Sequence, residues 1–176
     1  MSGENNRIPK STTKALAAGA MLTAISLAFS YIEFLIPFSV GIPGIKLGFA
    51  NIVIVYSIYK LGPRHALMVD ICRVLLAGFL FGSLFSTLYA MAGALLSLSV
   101  MVMLRKCGVF SIAGVSMAGG VFHNLGQLIV AVLVVDTVKI FAYFPVLVFS
   151  GIITGAIIGI IATICLRKTE KLHVFL

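Results

Sequence analysis

The chain is 176 residues long, 61% hydrophobic and only 10% charged, with a net charge of +8. That much apolar side chain excludes a soluble globular domain, which would have too little polar surface to stay in solution. The positive charge gathers at the ends of apolar runs, so it speaks for membrane topology and against a nucleic-acid-binding face.

The runs are rich in Leu, Ile, Val, Ala and Gly and lack the alternation of barrel strands. They are spaced for helices of about 20 residues, the length that crosses a hydrocarbon core of about 30 Å. They predict an all-α polytopic membrane protein, a bundle of six transmembrane helices over residues 14–166. A cytoplasmic N-terminal tail is expected at 1–13 and a cytoplasmic C-terminal tail at 167–176. The spans are expected at Lys14–Glu33, Leu47–Leu61, Arg64–Phe81, Leu84–Leu104, Ile112–Val135 and Phe141–Leu166. With the N-terminus inside, ten basic residues fall on the cytoplasmic side: Arg7, Lys10, Lys14, Lys60, Arg64, Arg105, Lys106, Arg167, Lys168 and Lys171. Lys46 and Lys139 fall outside, and Arg73 lies within a span. This is the positive-inside bias of a multi-pass protein of the cell (plasma) membrane with both termini in the cytoplasm.

The first run follows a basic segment, as in a signal peptide. It has the length of a full span, ends without a small-x-small cleavage site and leads into further spans, so an uncleaved first helix is predicted. On that helix Ala20, Ala24 and Ala28 recur at every fourth residue. Small side chains at this spacing form a groove for close helix packing, either within the bundle or against an external membrane partner. The helix ends in the stretch from Tyr31 to Asn51, where Pro37 and Pro43 remove N–H donors and Gly41, Gly44 and Gly48 free the backbone. This loop is predicted to be a lid over a binding site at the membrane surface.

Lys46 stands on the lid, where it either snorkels to headgroups or meets a ligand. Asn51 is expected about one turn below the interface, a depth at which an amide needs a hydrogen-bond partner. Lys60-Leu-Gly-Pro63-Arg64 predicts a tight turn with Pro63 in the first turn of the third helix. That helix holds Asp70 and Arg73. Arg at a membrane centre costs about 2.5–3.5 kcal/mol on insertion scales, so it requires a partner or a wet cavity. Asp70 is three residues away on the same face. The two are either a self-contained ion pair or an arrangement in which Asp70 holds the guanidinium toward an anionic or carbonyl-bearing ligand.

Further along, Ser86, Ala90 and Ala94 form a second small-residue ridge. His123, Asn124 and Gln127 place three polar groups at mid-membrane on the fifth helix, and the spacing brings His123 onto the face of Gln127, with Asn124 within reach of Gln127 at three apart. They predict a polar patch facing Arg73, serving a ligand or a structural network. Gly151, Gly155 and Gly159 make a GxxxGxxxG ridge expected to pack inside the bundle. Cys72, Cys107 and Cys165 are odd in number and form no metal-type cluster, so no metal site is expected.

Three stretches together, Ile42–Asn51, Arg73–Ser86 and His123–Ala131, resemble the Gx transporter family, also labelled heptaprenyl diphosphate synthase component I. The resemblance extends from about residue 14 to 166. That family is similar to the S-components of energy-coupling factor (ECF) transporters, six-helix proteins that bind vitamins or other cofactors from outside. The resemblance implies a pocket near the outer face, capped by the loop between the first two helices. It also implies docking through an AxxxA pattern, matched by Ala20 and Ala24 and extended by Ala28, onto a transmembrane coupling subunit driven by two ATPases.

The synthase label finds little chemistry to stand on. Asp70 and Asp136 are the only aspartates, with no DDxxD segment for magnesium diphosphate and no Walker A loop for ATP. The chain is therefore expected to be non-catalytic, without a cofactor of its own. It is read as a membrane substrate-binding subunit whose site is lined by Asn51, Arg73, His123, Asn124 and Gln127, with Lys46 on the lid. The aromatics Phe79, Phe81, Phe85, Tyr89 and Phe122 would suit a flat or greasy ligand such as a cofactor, a quinone precursor or an isoprenoid. Alternatives are a stand-alone secondary transporter, with Asp70 or His123 as proton sites, and a membrane accessory subunit in prenyl diphosphate metabolism.

Overall fold

A computed structural model of the chain describes residues 12–35 and 48–171. Its elements are α1 (Thr12–Leu35), α2 (Phe49–Lys60), α3 (Pro63–Leu80), α4 (Leu84–Cys107), α5 (Ile112–Val135) and α6 (Phe144–Lys171), with a 3-10 turn at Val138–Tyr143 ahead of α6. No strand occurs among the described residues. The six predicted segments are thus six helices. α6 runs past Leu166 to Lys171, so helix extends into the stretch expected to be a tail. Most of the predicted lid, Lys46 included, lies outside the described residues.

Local chemistry sets the helix ends. Pro63 opens α3, where its missing N–H costs nothing, and Gly62 before it takes φ 93°, a conformation that side chains resist. Ser83 and Ser86 cap α4 reciprocally: the Ser86 N–H donates to the Ser83 hydroxyl at 3.2 Å, and the Ser83 N–H donates to the Ser86 hydroxyl at 2.8 Å. Ser111 caps α5 by accepting from the Gly114 N–H at 3.1 Å.

Four helical segments are long and apolar enough to cross a membrane: α1, α4, α5, and α6 with the turn before it. The chain is a multi-pass membrane protein. The other two helices differ for separate reasons. α2 has 12 residues, a rise of about 18 Å, and α3 carries Arg64, Asp70 and Arg73.

Successive helices from α3 to α6 pack side by side, and α2 sits among α1, α3 and α6. From Ile52 to Ile58 every residue of α2 is buried, as a helix that is apolar on all faces must be. Leu22 of α1, Ala66 and Val69 of α3, Leu98 and Met101 of α4, Val115 of α5, and Ile158 and Ala162 of α6 join it in one core.

The closest approach is between α5 and α6. A Cβ on Gly151 would lie 2.7 Å from the Val121 nitrogen, on Gly155 2.6 Å from the Ser116 carbonyl oxygen, and on Gly159 2.6 Å from the Ala113 Cα. The glycine ridge therefore packs internally, backbone on backbone, as its spacing predicted. The large side chains Phe149, Ile153, Ile157, Ile160 and Ile164 of the same helix are exposed. Against lipid tails, burying an Ile gains little and close packing gains more, which explains glycine inside and isoleucine outside. On α1, Ala18, Leu22 and Ser26 are buried, whereas Ala20, Ala24 and Ala28 are exposed.

Candidate functional site

The inward stripe of α3 is Ala66, Val69, Asp70, Arg73 and Val74, spaced three and four apart. Two of its five members are ionised side chains, and they are 3% and 8% exposed for Asp70 and Arg73 respectively. Arg73 Nε donates to Asp70 Oδ1 at 3.2 Å, and Arg73 Nη2 donates to the same oxygen. The expected i, i+3 pair is formed, and it neutralises the charge that would otherwise make the buried arginine costly. Asp70 engages only the Nε–Nη2 edge of the guanidinium. Nη1 lies beyond that edge. No buried side-chain nitrogen or oxygen among the described residues lacks a hydrogen-bond partner, so Nη1 is not sealed into apolar packing.

On α5 the three polar residues divide their work. Gln127 Nε2 lies 3.1 Å from His123 Nε2, so the amide donates to the ring when that nitrogen is unprotonated. Both side chains lie against Gly93 of α4, where a Cβ would come within 2.8 Å of the His123 carbonyl oxygen and 3.0 Å of Gln127 Cγ. Asn124 Nδ2 donates to the Leu147 carbonyl of α6 at 2.8 Å, which makes it a tether between helices. The spacing thus identified the His123–Gln127 pair, and Asn124 turns to a different neighbour. α3 and α5 each pack against α4. The expectation that the amides face Arg73 is not met by a direct hydrogen bond: Arg73 bonds to Asp70, Gln127 to His123, and Asn124 to Leu147.

Asn51 lies in the first turn of α2, half-buried, and its backbone N–H donates to the Gly48 carbonyl at 2.9 Å. Gly48 holds φ 76° at the head of that helix. Ala20, Ala24 and Ala28 lie on the outward face of α1, about opposite the stripe that packs on the core.

The clamp on α2 escaped the sequence. Glu33, near the end of α1, accepts the Phe49 N–H through Oε1 at 2.8 Å, which satisfies a free donor and places a negative charge at a helix N-terminus. At the other end Arg105 of α4 donates to the Ile58 carbonyl and, at 3.5 Å, more weakly to that of Tyr59. Its guanidinium also stands 4.9 Å over the Tyr59 ring. Ser26 donates to the Ala50 carbonyl at 3.2 Å, and the Tyr56 hydroxyl donates to Thr169 at 3.3 Å. An acid at the end of one span and an arginine at the end of another were the available signals. Their partners are 16 and 47 residues away, beyond any local pattern.

The arrangement offers hydrogen-bonding groups: a buried guanidinium, an imidazole paired with an amide, and the half-buried Asn51 in the first turn of α2. Among the described residues no three His, Cys, Asp or Glu side chains gather into a metal-binding group. A family model described as heptaprenyl diphosphate synthase component I matches residues 22–165 of the chain. No curated protein and no solved structure matches.

Proposed function

The chain belongs to the heptaprenyl diphosphate synthase component I family, and from that premise we propose that it is an integral membrane substrate-binding subunit of the S-component kind. In this reading it takes up a small cofactor, vitamin, or isoprenoid- or quinone-like molecule. Transport is energised by two ATPases acting through a transmembrane coupling subunit. All six helices lie in the cell membrane with both termini in the cytoplasm, and the ligand sits between the inward face of α3 and the first turn of α2, with Arg73 and Asn51 as its first contacts. His123, Asn124 and Gln127 complete the site from α5, and Lys46 approaches from the lid.

The observation that carries this reading is the exposure of Ala20, Ala24 and Ala28. A groove of small side chains on a membrane helix favours close packing, and its own bundle leaves this one open, so a helix from another chain fits it. The test is co-purification with a coupling subunit and its ATPases. Wild-type protein should form a stable complex, and the double variant Ala20→Leu/Ala24→Leu should fold but not associate. A complex that survives the double substitution would reject the docking face.

A second reading rests on the family description itself, which names a component of heptaprenyl diphosphate synthase and so implies a partner component. Under it the chain would raise prenyl-chain elongation by a soluble partner. Vesicles separate the two: substrate accumulation only with coupling subunits and ATP supports the first reading, and stimulated elongation without transport supports the second.

A further inference from the structure

The charges of this molecule divide unequally between its two ends. Among the described residues Glu33, Asp136 and Lys139 flank one end and Asp70 and Arg73 pair within a helix, which makes three acids and two bases. The other described charges, among them Arg64, Arg105, Lys106, Arg167, Lys168 and Lys171, flank the opposite end, where bases outnumber acids. The described charges of the first end make no positive field with which to gather polyanions.

The deep guanidinium repeats this balance at atomic scale. Asp70 occupies the Nε–Nη2 edge of Arg73 through a single oxygen, so the positive charge is already matched. What remains toward Nη1 is hydrogen-bond donation without net charge. A diphosphate brought to this place would lose its hydration and meet the Asp70 carboxylate beside the Arg73 guanidinium. A carbonyl oxygen would meet only the donor.

We propose that the ligand taken at Arg73 has an uncharged head bearing carbonyl acceptors, as in a quinone, and is not a diphosphate. This rests on the substrate-binding reading above and narrows it to a chemical class.

The test uses two probes with the same tail, a geranyl-substituted 1,4-benzoquinone and geranyl diphosphate, titrated calorimetrically into the purified full chain in detergent. The quinone should bind at least tenfold more tightly. Asp70→Asn, which uncovers the cation while keeping the shape, should raise diphosphate affinity at least tenfold without improving the quinone. Tighter binding of the diphosphate by wild-type protein would overturn the neutral-head inference and leave the site standing, provided that Arg73→Gln weakens it. If Arg73→Gln changes neither affinity, or neither probe binds wild-type protein or Asp70→Asn, the site at Arg73 itself is rejected. Should Asp70→Asn not fold, the wild-type comparison decides alone.

Discussion

Two ridges of small residues repeat at every fourth position, Gly151, Gly155 and Gly159 on α6 and Ala20, Ala24 and Ala28 on α1, and the fold treats them in opposite ways. The glycines bring α6 so close to α5 that an added Cβ would meet backbone atoms at 2.6–2.7 Å. The alanines are exposed, and α1 packs on its neighbours through Ala18, Leu22 and Ser26 instead. Even Gly19, beside the alanine ridge, has nothing within 4 Å of a built Cβ. Periodicity alone therefore says that a helix can be approached closely, and it leaves open which chain does the approaching. The size of the small residue is the finer signal. Two backbones in contact admit only hydrogen at the crossing, and the alanine face keeps its methyl groups.

That contrast can be broken most severely at α6. Gly155→Leu would force a large side chain into the α5 backbone, and folded, monodisperse protein should be lost from detergent extracts; a wild-type yield would show that the seam is not a backbone contact. Gly155→Ala is the graded version. It should cost about 1–3 kcal/mol through overpacking, read as a lowered unfolding midpoint in detergent. On α1 the sign reverses. Gly19→Ala should stabilise by up to about 1 kcal/mol, because open space surrounds the site and alanine is the better helix former. The smallest effect belongs to Ala24→Leu, whose stability should stay within about 0.5 kcal/mol of wild type. A substantial loss there in the same unfolding assay would mean that the face is packed after all.

Much of this architecture was legible in the chain because lipid makes helices report themselves. Pro63 and the apolar runs placed all six helix starts within three residues, and the i, i+3 and i, i+4 rules found Asp70–Arg73 and His123–Gln127. The long-range pairings were not legible. Nothing near Asn124 announces the Leu147 carbonyl, and nothing near Glu33 announces the head of α2, because such bonds depend on how helices cross and not on spacing within one.

α2 also bears on how the protein is made. At 12 residues it is too short to enter a bilayer as an independent span, and the carbonyls of Ile58 and Tyr59 near its end receive donors from Arg105 of α4. During synthesis, then, the hairpin of α2 and α3 has no settled place until α4 has left the ribosome. The centre of the molecule is assembled late, around a segment that was translated early.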